Sequence, residues 1–338
     1  MTKKPTVFIT HGPQALANYY GPRALAALEA LATVKRHHDD APWTAASLAA
    51  AAAGCQFIVS YRSAEASAEL FHNLPELLAF CRCAIDIRNI DVPAASSHGI
   101  LVTQASAGFI NSVTEWVLGV MVDLSRGISR SAQLYRTGVE PVPAMGRELR
   151  GSTLGLVGYG QIGRHLAKSA LALGMRVLVH DPHVVVDVPA LQQVGLDQLL
   201  AEADHVVSLA VALPETENLF AASAFAAMKP GAFFINPSRG NLVDEAALLQ
   251  ALDSAHLGGC AMDVGRAPDQ MPSLALARHP LVVATPHIGG LTPQAIEHQS
   301  MDTVGQVASL LQGQLPKGAV NALHATRLQA WWKQGAAP

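Results

Sequence analysis

Charge is scarce in this 338-residue chain: Asp, Glu, Lys and Arg make up 14% of it, against about 25% in an ordinary soluble domain. Intrinsic disorder needs the opposite balance and is excluded by an apolar share of 50%. The few charges nearly cancel, 23 Lys and Arg against 26 Asp and Glu, for a net of −3. So neutral a chain has no overall field to gather nucleic acid or an anionic membrane. Long apolar runs are also missing. The nearest, 45–60, is Ala-rich, is interrupted by Gly54, and falls short of the roughly 20 residues that span a bilayer. Near the start, the apolar stretch Thr6 to Thr10 is too short for the core of a secretion signal. Cys55, Cys81, Cys83 and Cys260 are too scattered for a disulfide framework. Cys81-x-Cys83 has no second pair to complete a metal site, so reduced thiols and no metal are expected. Together these absences describe a cytoplasmic protein with no membrane or nucleic-acid partner, and its length predicts about two domains.

What is present is a strand-then-helix rhythm. Val7 to Ile9 predicts a strand, Arg23 to Ala32 and Ala45 to Ala53 helices, Gln56 to Val59 and Ile100 to Val102 further strands. Such alternation implies βαβ units and a parallel sheet. A helix over Ser112 to Arg126, apolar on much of its circumference, is expected to be buried between two domains. Pro141, Pro143 and Gly146 punctuate a loop, after which the rhythm is more regular. Strands are predicted at 153–157, 176–180, 205–209, 232–235, 259–262 and 281–284, with helices at 162–172, 196–201, 223–228 and 245–253. This block reads as a complete doubly wound sheet of about six strands. The helical tail, 292–313, is too short to fold alone and is expected to return to the first domain.

The strongest local motif is Gly158-Tyr159-Gly160-Gln161-Ile162-Gly163. GxGxxG alone is weak, but here it follows a predicted strand and opens a predicted helix, the context of a dinucleotide site. Gly158 permits the turn, Gly160 admits a pyrophosphate to the backbone, and Gly163 lets helix and strand pack closely. The helix N-terminus then faces the phosphates. Asp181 ends the next strand, where a carboxylate accepts from ribose hydroxyls and repels a 2′-phosphate, favouring NAD. The alternative for Asp181-Pro182 is an ordinary turn or helix cap.

Three more segments place polar residues just past apolar strands: Asn236-Pro237-Ser238-Arg239-Gly240, Ala261-Met262-Asp263 and Thr285-Pro286-His287-Ile288-Gly289-Gly290. Open α/β sheets bind ligands at that edge. On these residues, with Asn89-Ile90-Asp91 and the glycine-rich turn, the chain resembles the D-isomer-specific 2-hydroxyacid dehydrogenase family from about Leu74 to Val307.

The resemblance implies an α/β fold of two doubly wound domains. A Rossmann NAD-binding domain (105–288) interrupts a flavodoxin-like substrate domain (1–104 and 289–338), with the site in the cleft between them. It also implies hydride transfer between NAD(H) and C2 of a small D-2-hydroxy acid, and a homodimer, for which Trp116 and its helix would suit a buried interface as well as they suit burial within one chain. Arg239 would hold the substrate carboxylate, for which its planar fork is suited. His287 would be the acid/base, a role that fits the ordinary pKa of imidazole. Asp263 matches a nicotinamide contact, and Gln161, Ile162, Pro237, Ser238 and Gly290 complete the cofactor positions. Substrate contacts fall on Ile85, Asp86 and Arg62, the last at a position where some family members contact a substrate phosphate or carboxylate and otherwise a surface arginine at a strand end.

Two departures stand out. Family members carry a Glu, paired with the His, where this chain has Pro268; Asp269 lies one step on and is either the His287 partner or a surface carboxylate. Without a partner, the His287 pKa would be lower. The substrate loop, usually glycine-rich, carries Asp86 and Arg88, which either pair with each other or leave Asp86 to select the substrate. Two alternatives remain: a dehydrogenase of formate or phosphite type, towards which Gln270 points, and a non-catalytic NAD(H)-sensing corepressor-like protein.

Overall fold

A computed structural model describes residues 4–267 and 270–335. The chain divides into two compact units. One runs to Gly108 and resumes at Thr292; the other is Phe109–Leu291.

The first unit has five parallel strands: β1 Thr6–Ile9, β2 Thr33–Arg36, β3 Phe57–Ser60, β4 Ala79–Arg82 and β5 Leu101–Gln104. Their spatial order, β2-β1-β3-β4-β5, is the flavodoxin-like one. Both faces are covered. Val7, Ile9, Phe57 and Val59 pack with Leu28, Val307 and Leu310 on one side. Phe8, Ile58, Phe80 and Val102 pack with Leu48, Leu70 and Phe71 on the other. Burial on both faces is why β1 and β3 read as continuous apolar runs. Two strands of this unit escaped the sequence reading for opposite reasons. The edge strand β2 is polar and mostly exposed, as edges often are. Strand β4 is wholly buried but ends in Arg82, which interrupts its apolar run. The returning helix, Pro293–Leu311, contributes Val304, Val307 and Leu310 to this unit's core.

The second unit has seven parallel strands: β6 Thr153–Val157, β7 Arg176–His180, β8 Gln192–Gln193, β9 His205–Ser208, β10 Phe233–Asn236, β11 Gly259–Met262 and β12 Val282–Ala284. The order β12-β11-β10-β9-β6-β7-β8 is the doubly wound dinucleotide-binding arrangement with one added edge strand. The helix Ile110–Arg126 packs Val113, Val117 and Met121 onto Leu154, Leu156, Val207 and Ile235. Its buried face thus belongs to this unit's own core. It ends at Gly127, whose φ of +62° is the left-handed conformation that glycine adopts cheaply at helix ends. Because all strands run parallel, the carboxyl ends of β6, β7, β10, β11 and β12 share one sheet edge.

Candidate cofactor and active site

The glycine-rich turn separates what the chain's own packing requires from what it does not. Gly158 follows β6 with φ +106°, and a Cβ there would lie 2.6 Å from the Leu209 backbone. A Cβ on Gly163 would lie 2.6 Å from the Gly158 carbonyl oxygen. Both glycines are demanded by the fold. Gly160 is different: it is exposed, and a Cβ on it would meet nothing within 4 Å. It caps the helix Gln161–Ala172 with no side chain bonding the helix N-terminus. Space beside a glycine at an uncapped helix start fits the pyrophosphate of a dinucleotide. Gln161 in the first turn is exposed, and Ile162 is half-buried against the core.

Asp181, just past β7, accepts from the Tyr159 amide at 2.7 Å and the His183 amide at 2.9 Å. Its carboxylate therefore ties the glycine-rich turn to the neighbouring strand end, and it forms the turn that the plainer sequence reading allowed. Partial burial opposes ionisation, but the amides of Tyr159, His183 and Val184 outweigh it and hold the carboxyl below its ordinary range.

Past β10, Asn236 organises the next loop. Its amide group donates to the Arg239 carbonyl at 2.9 Å and its oxygen accepts from the Ser238 amide at 3.0 Å. The Ser238 hydroxyl donates to Ala210 O at 2.8 Å, locking the loop to the end of β9; Pro237 before it is half-buried. Arg239 is half-buried, with Nη1 donating to Ser238 O at 2.7 Å. Gly240 cannot carry a side chain, since a Cβ would fall 2.1 Å from Gly265.

Asp263 and His287 form the tightest element. Asp263 is 2% exposed. Its carboxylate accepts from Thr285 Oγ1 at 2.6 Å, the Ile288 amide at 2.8 Å and the Gly289 amide at 2.7 Å. Its carbonyl accepts the His287 amide at 2.9 Å. His287 is held at φ +56°, a conformation unusual for a side-chain-bearing residue and commonest at functional sites. Gly289 is needed because a Cβ there would lie 2.8 Å from Asp263 Oδ2, and Gly290 packs closely on Phe109. Pro268 and Asp269 lie outside the described residues.

The corresponding strand ends of the first unit carry the other singled-out residues. Arg62 follows β3 and lies over the rings of Tyr19 and Tyr61, 5.6 and 5.9 Å from their centroids. Asp86 and Arg88 form an ion pair at 2.6 Å, with Arg88 Nε also donating to Asp86 Oδ1 at 3.0 Å; Ile85 beside them is half-buried. Sequence reasoning missed Arg82, which is fully buried and donates to Tyr61 O, Ala64 O and Asn89 Oδ1. The signal was there: a lone cation in the run Ala79-Phe80-Cys81-Arg82-Cys83.

Comparison with known proteins identifies the family. The profile of the D-isomer specific 2-hydroxyacid dehydrogenase NAD-binding domain matches residues 118–289. The (S)-sulfolactate dehydrogenase of Chromohalobacter salexigens is 40% identical over 272 residues, covering 79% of this chain and 88% of that one. The D-3-phosphoglycerate dehydrogenase of Synechocystis is 36% identical over 244 residues, 71% of this chain and 44% of that longer protein. Among solved structures, the TT0316 protein from Thermus thermophilus superposes with a TM-score of 0.83 at 30% identity, covering 93% of this chain and 99% of that one. On the strength of the matching profile and of a relative aligned over most of both chains, the chain belongs to the NAD-binding D-isomer specific 2-hydroxyacid dehydrogenase family.

Proposed function

We propose that the protein interconverts a small D-2-hydroxy acid and its 2-keto acid, and that the substrate carries a second anionic group. The observation that carries this reading is the Asp263-braced turn presenting His287 at the same strand edge as Arg239 and the glycine-rich turn. When bound, NAD accepts or supplies the hydride at C2. Arg239 grips the substrate carboxylate in a planar, charge-assisted contact. The His287 imidazole takes the proton of the 2-hydroxyl in oxidation and returns one to the keto oxygen in reduction. We assign Asp269, from its place in the sequence, as the carboxylate partner of that imidazole. Asp181 accepts the ribose hydroxyls and selects NAD over NADP. Asp263 acts by holding the turn, beside any contact it makes with the nicotinamide carboxamide.

Arg62 takes the second anion. Two aromatic faces orient its guanidinium, and the relatives named above are described as acting on sulfolactate and phosphoglycerate, both hydroxy acids with a second anion. Sulfur outranks carboxylate in stereochemical priority, so (S)-sulfolactate has the spatial arrangement of a D-2-hydroxy acid. Exposed Ile128, Tyr135, Val142 and Met145 support homodimerisation through the second unit.

The test follows NADH absorbance with a panel of 2-keto acids, with and without a sulfonate or phosphate at C3. Formate and phosphite are offered against NAD in parallel. Turnover is expected for 2-keto acids, fastest at low concentration for those with the second anion. Turnover of formate or phosphite alone overturns the substrate class. Tight NADH binding with no turnover of any compound assigns a sensor instead. For Asp269, the pH profile of the Asp269→Ala variant is expected to lose reductive activity at lower pH than the wild type; superimposable profiles remove the assignment.

A further inference from the structure

We propose that Arg82 is a positioning residue for substrate recognition, its buried guanidinium setting the turn that presents Arg62. Arg82 ends β4 and is 0% exposed. A buried cation is costly unless its donors are satisfied; among the described residues Nε of Arg82 has no partner, and what its two Nη groups bond to is informative. Nη1 donates to Tyr61 O, and Nη2 to Ala64 O at 2.8 Å and to Asn89 Oδ1 at 2.7 Å. Asn89 in turn donates through Nδ2 to Arg62 O at 3.0 Å. Arg82 and Asn89 together therefore hold the carbonyls of Tyr61, Arg62 and Ala64, three of the four residues of one turn.

The turn is fixed at its other end too. The Tyr61 amide donates to Thr10 Oγ1 at 2.8 Å, and Ala64 N closes onto Tyr61 O at 3.0 Å. With the backbone on both sides of Arg62 held, its side chain is directed over Tyr19 and Tyr61. These acceptors of Arg82 are all neutral oxygens, so its bonds do not spend it in an ion pair, and its positive charge lies directly beneath the turn. Burial lowers its pKa, but only to about 10, which leaves it protonated at neutral pH. The same Asn89 follows the Asp86–Arg88 loop in the chain, and its carbonyl accepts the Ala66 amide at 3.0 Å.

The inference rests on the reading of Arg62 as the reader of a second anion, and the experiment separates the two. With NADH, kcat and KM are measured for a 2-keto acid bearing a C3 sulfonate and for pyruvate, in wild type and in Arg62→Ala, Arg82→Lys and Asn89→Ala. Asn89 is half-buried, so its variant remains informative should Arg82→Lys not fold. Asn89→Ala and Arg82→Lys are expected to raise KM for the sulfonate substrate about tenfold, the loss of one charge-assisted contact, with kcat and the pyruvate KM within about twofold of wild type. Asn89→Asp, which keeps the acceptor for Arg82, is expected to recover part of that loss. Arg62→Ala that leaves the preference for the sulfonate substrate intact overturns the Arg62 reading and this inference with it. Arg62→Ala that abolishes the preference, while Asn89→Ala and Arg82→Lys retain it or weaken both substrates alike, leaves that reading standing and overturns the positioning role of Arg82.

Discussion

Asp263 holds His287 from both sides of the peptide chain: its carbonyl accepts the His287 amide at 2.9 Å while its carboxylate accepts the amides of Ile288 and Gly289 at 2.8 and 2.7 Å. The left-handed φ of His287 costs about 1–3 kcal/mol, and these bonds are what offset it. Replacing Asp263 by Asn, which keeps the shape but removes the charge, is expected to lower kcat by roughly 100-fold and stability by about 2 kcal/mol. Steady-state kinetics with a thermal melt checks this. Unchanged kcat in a folded variant would show that the turn does not depend on the carboxylate.

The glycine-rich turn gives a contrast within six residues. Gly160→Ala adds a methyl into open space, so the melting temperature should stay put while NADH affinity falls by about tenfold or more as the pyrophosphate loses its approach. Gly158→Ala instead meets the Leu209 backbone at a left-handed φ and should destabilise the fold by about 2 kcal/mol or more. Fluorescence titration and melting of both variants decide the matter; equal behaviour in the two would contradict it.

Asp181 bonds two main-chain amides, so its removal has two separable effects. Asp181→Ala is expected to narrow the preference for NAD over NADP and to cost about 1–2 kcal/mol of stability. The ratio of kcat/KM for the two cofactors reads the first effect and urea denaturation the second. A cofactor ratio that does not move would assign Asp181 to the turn alone.

Acid sensitivity should come from two buried histidines. Burial, helped by the nearby Arg82 charge, lowers the pKa of His11 from 6.5 to about 3. In His205 burial, helped by Arg147 and opposed by Asp204, lowers it to about 4. The unfolded chain therefore takes up protons below pH 6.5 that the folded chain refuses. Their stabilisation is complete above pH 6.5 and is lost as pH falls, down to about 4 for His205 and about 3 for His11. Each contributes a slope of up to about 1.4 kcal/mol per pH unit. His11→Phe keeps the contacts with Tyr20 and Tyr61, whose centroids lie 5.2 and 5.1 Å away, and should remove one share of that slope. Denaturant melts from pH 7 to 4 measure it, and an identical slope in the variant would rule His11 out.

The α/β class, nearly every strand of the second unit and the strand-end segments around Gly158, Arg239, Asp263 and His287 were already written in the sequence. They were legible because a sheet buried on both faces writes its strands as continuous apolar runs closed by Gly, Pro and Asn turns. Three strands were not: β2, whose edge position lets it be polar, β4, whose apolar run is broken by Arg82, and β8, two exposed glutamines at the edge of the second sheet. It took the folded arrangement to establish that Asp263 braces His287, that Asp181 ties the glycine-rich turn to β7, that Asp86 pairs with Arg88, and that Arg82 reaches back to the turn bearing Arg62. Period and composition report which face of an element is apolar. The partner of a polar group at a strand end depends instead on which other strand ends lie beside it, and that is set by the order of the strands in the sheet.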